Sequence, residues 1–468
     1  MRIPLTVALL TYNRAHFLRE AIQGVLAQTY RDFEFLILDN GSTDDTPSVV
    51  LGTSDERIRY VRNSPGLGPQ FNGFSAVKIA RGDRIIVAHD DDVMQETMLE
   101  KQMAMLNAHP NMTGVWTNTS TIDYQGNTIQ EYFTPPGHDR IYKTGEFIAK
   151  FPSENLWPLP CTFMFIRTKY PQRKIDQVYY DENLAKQAPK THGGDDVLLA
   201  ALMNAQGSVS FLNEPLLKYR RHGSQDTNQT NLSIGILETY RMLRRFAGKL
   251  PEKEKITQLI DANIARFTAQ HDIIHTTVAQ PTIAAQRKIK RLFDKTCCNL
   301  GPNSEADSQL LPLRIFLSQT SKYEDEIFLS LSAPNEEHPT ATHALYHWAR
   351  LRQTGGNLFA PLPERSNIVI LGSALVSALL INEARLTNLN VLCCIDSNYT
   401  RQGQTMLGTR IQPPKWLTSQ GDTVDYVILS SERDQDAYLR EFIHGLNRNT
   451  QVLSWKDLAT QNQRVNQS

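Results

Sequence analysis

No stretch of the 468 residues approaches the ~20 consecutive apolar positions that a membrane-spanning helix needs. Neither sign of charge is in excess: 49 Lys and Arg balance 49 Asp and Glu. Without a basic surplus to neutralise phosphates, no nucleic-acid partner is expected. Cysteine is scarce. Cys161, Cys297, Cys298, Cys393 and Cys394 form no C-x-x-C and no zinc-ligand spacing. The adjacent pair in Val391-Leu392-Cys393-Cys394-Ile395 reads as buried thiols on a strand. Internal repeats and low-complexity tracts are missing too. Near the start, only Leu5 to Leu10 is apolar before a polar loop begins. A secretory leader needs a longer apolar core and a small-residue cleavage site. The segment therefore reads as a β-strand, and the expected location is the cytoplasm. What remains is a soluble composition, 40% hydrophobic and 21% charged. At ~150 residues per domain, the length suggests about three domains.

The opening stretch alternates strand and helix. Val7 to Leu10 is an unbroken apolar run, as in a strand buried on both faces. Phe17, Leu18, Ala21, Ile22, Val25 and Leu26 then recur at helical spacing. Phe35 to Leu38 is a second strand, running into the polar cluster Asp39-Asn40-Gly41-Ser42-Thr43-Asp44, where Ser42, Thr43 or Asp44 can cap the next helix. Ile58 to Val61 and Arg84 to Ala88 are further strands, with a helix over Asn72–Ala80 between them. Such alternation predicts a parallel α/β sheet, whose ligands sit at the carboxyl ends of the strands. Asp39 and Asp90-Asp91-Asp92 lie at two such ends. From 110 to 225 the pattern is mixed until a helix (Val197 to Ala205), a strand (Val209 to Leu212) and the basic segment Tyr219-Arg220-Arg221-His222-Gly223.

Three successive carboxylates repel one another unless something positive neutralises them. They suit Mg²⁺ or Mn²⁺, which bridge protein oxygens to diphosphate oxygens; the plainer reading is a solvated acidic turn. Asp195-Asp196 opens a helix, where carboxylates are favoured by the helix dipole alone, or holds a general base, with Gly193-Gly194 allowing close approach of a substrate. His222 is a surface histidine in a basic turn or, as a neutral imidazole, the completion of a metal site. Trp157 and Tyr179 can stack on sugar rings, although buried core aromatics are the commoner case.

Taken together, these segments resemble glycosyltransferase family 2, enzymes of the GT-A fold. The matching stretches are Leu10-Thr11-Tyr12-Asn13-Arg14, Leu38 to Asp44, His89-Asp90-Asp91-Asp92, Gly194-Asp195-Asp196, and Glu214 to His222; they cover about residues 1–225. The resemblance implies an inverting transferase that moves a sugar from a nucleotide donor, usually UDP-linked, to a glycan, lipid-linked or protein acceptor. It implies donor contacts from Thr11, Tyr12, Asn13, Arg14, Asp39, Asn40, Asp90, Asp91, Arg220 and Arg221. It implies a divalent cation, Mn²⁺ or Mg²⁺, on Asp92, Asp90 and His222, with Asp92 the direct ligand. Asp196 matches the general base. The family's pair there is Glu-Asp and this chain has Asp-Asp, so Asp195 stays open as the base. The loop Asn63 to Asn72 also lacks the usual A-R-N before its helix.

The expected organisation is a GT-A domain over 1–228, a mainly helical region over 229–360, and a small Rossmann-like α/β domain over 361–468, set off by Pro361-Leu362-Pro363. In the last part Ile368 to Leu371 leads to Gly372-Ser373, and Asp396 ends a second strand where a ribose ligand would sit. The G-x-G-x-x-G pattern is missing, which favours a docking, self-association or degenerate nucleotide module. The basic run Arg287 to Arg291 would allow peripheral association with the inner face of the membrane, a solvated helix face being the simpler reading. Two other readings stand beside the enzyme. One is a catalytically silent GT-A scaffold acting through its C-terminal part. The other is a nucleotidyltransferase, disfavoured because Thr11-Tyr12-Asn13-Arg14 is no Gly/Arg/Lys-rich triphosphate loop.

Overall fold

The computed structural model describes residues 3–134, 136–154, 156–172, 195–223, 225, 232–247, 253–276, 278–279, 281–300, 305–320, 327–328, 331, 333–334, 336, 340–372, 374–397, 401–420, 423–432 and 434–465. The chain divides into two compact units, one of residues 1–151 and 155–232, the other of 152–154 and 233–468.

In the first unit the apolar runs become strands: β1 (Leu5–Thr11), β2 (Glu34–Asp39), β3 (Ile58–Arg62) and β4 (Arg84–His89). They pair in parallel in the order β3-β2-β1-β4. The connecting helices are α1 (Ala15–Leu26), α2 (Thr46–Leu51) and α3 (Pro69–Ile79). The sheet continues through β5 (Val93–Met94), α4 (Met98–Ala108), β6 (Met112–Ile122), β7 (Thr128–Gln130), β8 (Arg140–Tyr142), α5 (Glu146–Glu154), β9 (Met164–Ile166), α6 (Asp195–Asn204) and β10 (Ser208–Arg220). Beyond β4 the order is β9-β6-β10-β5, with β9 and β5 antiparallel to their neighbours. Leu18, Ile22 and Val25 of α1 join Val7, Leu9, Ile37, Ile86, Leu99 and Met103 in one core. A second, aromatic cluster centres on Trp116, stacked on Tyr142 at 5.8 Å and edge-on to Phe147 and Phe163.

Strand register decides what converges. Thr11 pairs with Asp39, Asp39 with Arg62, and Leu10 with His89. Arg62, Asp39, Thr11 and Asp90 therefore form a row along the carboxyl ends of β3, β2, β1 and β4, the edge where open α/β sheets bind ligands.

The second unit holds helices α7 (Leu232–Ala247), α8 (Lys253–Ile274), α9 (Ile283–Cys297), α10 (Glu305–Gln309), α11 (Leu311–Thr320) and α12 (Thr340–Gln353). A second sheet follows: β11 (Asn367–Leu371), α13 (Leu375–Leu386), β12 (Asn390–Ile395), β13 (Thr405–Met406), β14 (Thr409–Gln412), β15 (Tyr426–Leu429), α14 (Asp436–Leu446), β16 (Gln451–Ser454) and α15 (Trp455–Val465). Its order is β13-β14-β12-β11-β15-β16, parallel except for the β13–β14 hairpin. Alternate residues serve opposite faces, as a strand's two-residue period requires. Ile368, Ile370, Cys394 and Ile428 share a core with Leu313, Phe316, Leu345 and Trp348 of the helices, and Val369, Cys393, Val427 and Leu429 pack with Ile443. The helices between the two α/β parts thus share the second sheet's core. Cys393 and Cys394 are buried, and burial pushes both thiols up, Cys393 to about 12. No helix is long and apolar enough to cross a membrane among the described residues.

Candidate active site

The loop after β1 is wired across the sheet edge. Asn13 sits at a φ of 52°, a left-handed conformation that asparagine tolerates. Its backbone N–H donates to Ser42 Oγ at 3.0 Å, and its side-chain oxygen accepts from the Thr43 N–H at 2.7 Å. Asp44 accepts from the Ala15 N–H and from the Thr46 N–H, both at 3.0 Å, so it serves the first turns of α1 and α2 together. Asn40 Oδ1 accepts from the Leu67 N–H at 2.7 Å. A Cβ on Gly66 would lie 2.3 Å from the Asn40 carbonyl oxygen, so only glycine lets the two loops approach this closely. Asn13 and Asn40, expected on the donor, thus hold the loops that frame the site. The departure from A-R-N leaves Asn72, which donates to the Leu38 carbonyl at 3.1 Å and accepts from Asn63 at 2.8 Å.

Asp39 is fully buried. One carboxylate oxygen accepts from the Ser42 N–H at 2.8 Å, the other from the Tyr60 hydroxyl at 2.6 Å, and Arg62 Nε lies 3.5 Å away. Burial and the Asp39 carboxylate raise the Tyr60 hydroxyl. Tyr60 and Arg62 lie two residues apart on β3 and so share a face; that spacing could have marked them in the sequence.

The three aspartates after β4 are all buried, and each has a different set of partners. Asp90 accepts from the Tyr12 N–H at 3.2 Å and from Arg14 Nη1 at 3.2 Å. Asp91 Oδ2 accepts from the same Arg14 nitrogen at 2.8 Å and lies 3.0 Å from His222 Nε2. Asp92 Oδ1 accepts from the Arg220 N–H at 3.0 Å. Its other oxygen faces His89 Nδ1 at 3.9 Å, and the ligand atoms of His89, Asp92 and Cys161 lie within 4.8 Å of one another. Desolvation and then the Asp91 charge push Asp90 up to about 7 and hold Asp92 well above the usual carboxylate range. Burial pushes Asp91 up as well, but the His222 hydrogen bond and the charges of His89, Arg14 and His222 outweigh it, and Asp91 is held low.

One expectation changes. The resemblance implies that Arg220 contacts the donor. Its side chain is instead almost fully buried, with Nε on the Asp91 carbonyl at 2.9 Å, Nη1 on the carbonyls of Asp123 and Tyr124 at 3.2 and 3.1 Å, and Nη2 on Glu20 at 2.5 Å. The guanidinium also lies over the Phe17 ring, 4.9 Å from its centre. Every guanidinium nitrogen is used inside the protein. Asp92, expected as the direct metal ligand, keeps one oxygen beside His89 and Cys161, while it is Asp91 that faces His222. His222 itself is buried rather than on a surface turn. Gln225 holds its backbone N–H at 3.1 Å and reaches the Arg220 carbonyl at 2.5 Å.

Tyr12 is half-exposed beside Asp90, Arg221 is exposed, and Thr11 is buried at the end of β1. Asp196 is partly buried in the first turn of α6. Asp195 begins that helix, while its side chain, Gly193, Gly194 and Tyr179 lie outside the described residues. Trp157 packs edge-on against Phe151 at 5.2 Å.

The family model for glycosyl transferase family 2 matches residues 6–170. An uncharacterized glycosyltransferase of Rickettsia typhi is 30% identical over 247 residues, 52% of this chain and 72% of the relative. The UDP-Glc:alpha-D-GlcNAc-diphosphoundecaprenol beta-1,3-glucosyltransferase WfgD of Escherichia coli is 32% identical over 126 residues, 27% of this chain and 49% of the relative. A GalNAc(5)-diNAcBac-PP-undecaprenol beta-1,3-glucosyltransferase of Campylobacter jejuni is 32% identical over 156 residues, 32% of this chain and 49% of the relative. The chain belongs to glycosyltransferase family 2 and is a glycosyltransferase of the GT-A fold.

Proposed function

We propose that the chain is an inverting, cation-dependent transferase that moves a sugar from a UDP-linked donor to a lipid-linked glycan. The observation that carries this reading is the meeting of Asp91, Arg14 and His222 at the carboxyl edge of the sheet, in line with Asp90, Thr11 and Asp39. Two relatives whose names give glucosyl transfer to diphosphoundecaprenol-linked acceptors, one of them from UDP-Glc, support this choice of donor and acceptor.

The residues fit a divalent cation. A carboxylate oxygen and an imidazole nitrogen, both buried, converge within 3.0 Å. Asp90 and Asp92 resist ionisation beside Asp91, so a positive ion here would relieve their repulsion. Asp91 and His222 would hold Mn²⁺ or Mg²⁺, which offsets charge on a departing nucleoside diphosphate. Arg14, partly exposed beside Asp90 and Asp91, adds a fixed positive charge on the same side. Asp39, held rigid by Ser42 and Tyr60, orients the nucleoside, with the Tyr12 ring beside it. Asp196 takes the proton from the acceptor hydroxyl as it attacks the anomeric carbon. One displacement inverts that centre.

The test is UDP release from a panel of UDP-sugars with Mn²⁺, with and without an undecaprenyl-diphosphate-linked acceptor. Asp196→Asn is expected to bind UDP normally and to lose ~10²–10⁴-fold in transfer. Equal, slow release by wild type and Asp196→Asn with every donor and acceptor would sink the enzyme reading in favour of the silent scaffold.

A further inference from the structure

In the second unit, α9 has two unlike faces. Ile289, Phe293 and Thr296 are buried, whereas Ile283, Ala284, Arg287, Lys288, Arg291 and Lys295 are exposed on one continuous arc. The helix carries five cations, at 287, 288, 290, 291 and 295, against one anion, Asp294. In a chain of zero net charge this is a strong local excess. Lys290 is bonded to Asp294 at 2.7 Å, and Lys288 lies 2.8 Å from Asp272. Arg287, Arg291 and Lys295, spaced four residues apart, form a row of cations along the exposed arc.

The end of the helix where this row begins is apolar and held in place. Ile283 is 66% exposed and Val278 52% exposed. Their loop is tied to the rest of the unit: the Leu407 N–H donates to the Thr276 carbonyl at 2.8 Å, and Arg385 donates to the Ala279 carbonyl. Leu386, next to Arg385, is also 52% exposed. The Thr282 hydroxyl caps the helix on the Ala285 N–H at 3.2 Å. Exposed aliphatic tips on a pinned loop, continued by a row of cations, match a lipid interface, where apolar groups enter the acyl boundary and cations meet anionic headgroups. A nucleic acid would satisfy the cations but offer nothing to the aliphatic tips, and the exposed arc has no aromatic ring to stack on bases.

We propose that the exposed face of α9, together with Val278 and Ile283, docks this chain onto the surface of an anionic lipid bilayer. The proposal is independent of the catalytic reading, because its test reads binding alone.

The experiment is co-sedimentation of the full chain with phosphatidylcholine vesicles, with and without phosphatidylglycerol. Binding is expected only with phosphatidylglycerol and is expected to weaken as salt is raised. Each cation near such a surface contributes about fivefold, so Arg287→Gln, Arg291→Gln and Lys295→Gln together should weaken partitioning roughly a hundredfold. Ile283→Ser should weaken it severalfold at constant charge, which a purely electrostatic contact would not show. If the triple variant melts below the wild type, the single variants carry the test at about fivefold each. Equal binding to neutral vesicles, or unchanged binding by the charge variants, overturns the proposal. So does retention of RNA or an acidic protein by these residues while vesicles are ignored.

Discussion

Asp91 Oδ2 and His222 Nε2 stand 3.0 Å apart although 131 residues separate them in the chain. The contact exists because β10 runs beside β6 through to Arg220, and the Arg220 N–H is fixed on Asp92. His222 is thereby delivered next to the loop that follows β4. The first prediction rests on this pair. Asp91→Asn and His222→Ala should each weaken Mn²⁺-dependent UDP binding ~10–100-fold by calorimetry. His222→Ala empties a buried position and should lower the melting temperature of the metal-free protein as well, but Asp91→Asn should lower it little, because it removes a charge that burdens Asp90 and Asp92. Asp92→Ala should instead lower that melting temperature, because Asp92 anchors the end of β10.

Much of this edge was legible in the sequence, because buried parallel strands are written as apolar runs. Val7 to Leu10 and Phe35 to Leu38 lie inside β1 and β2, and the aspartates follow where such strands end. Other parts were not legible, for identifiable reasons. The strand ending at Leu212 in the sequence reading continues to Arg220. Pro215, which normally punctuates a strand, is accommodated at register shifts on either side of it. That extension is what buries His222, which the local pattern of a basic turn does not reveal. The strand β6 is buried throughout but runs Thr117-Asn118-Thr119-Ser120-Thr121, so its polar letters hid it. Glu20 and Phe17, which hold Arg220, lie on a helix whose periodicity indicates only a core face.

Arg14 and Arg220 both approach the aspartate cluster, and they should separate cleanly. Arg14 is partly exposed and meets Asp90 and Asp91 through Nη1. Arg14→Ala should weaken UDP binding about tenfold with little change in folding. Arg220→Ala leaves three carbonyls and Glu20 without their donor inside the unit. It should cost about 3–5 kcal/mol in chemical denaturation. Equal stability losses for the two variants would contradict this division of roles.

Acid stability should depend on Glu34, which begins β2 at the opposite end of the strand from Asp39. Its buried carboxylate accepts from Arg59 Nε at 2.7 Å, from the Thr6 hydroxyl at 2.7 Å and from the Arg81 N–H at 3.0 Å. Burial raises its pKa, but these bonds outweigh burial and hold it below the ordinary 4.5. A carboxyl lowered on folding stabilises the native state above its unfolded value, and that stabilisation is lost as pH falls through the folded value. Wild-type stability should therefore drop below pH 4.5. Glu34→Gln should start about 2 kcal/mol lower at neutral pH and lose less on acidification. Parallel pH profiles for the two proteins would rule this out.

Gly372, at the carboxyl end of β11, tests how the second sheet is closed where a Rossmann-like turn would meet a ligand. Its φ is 116°, and its N–H donates to the Ile395 carbonyl at 2.8 Å. A Cβ there would lie 2.5 Å from Ser430 Oγ. That hydroxyl is not free to swing away, since it donates to the Leu371 carbonyl at 2.6 Å and accepts from the Ser377 hydroxyl at 2.8 Å. Two separate costs are combined at this position, a left-handed backbone and a close contact. Gly372→Ala should destabilise the unit by about 2 kcal/mol. Adding Ser430→Ala removes the oxygen and with it the contact, so the double variant should regain part of the loss and keep the backbone part. Strictly additive losses in the double-mutant cycle would show that the hydroxyl chain yields at no cost and that the whole effect resides in φ.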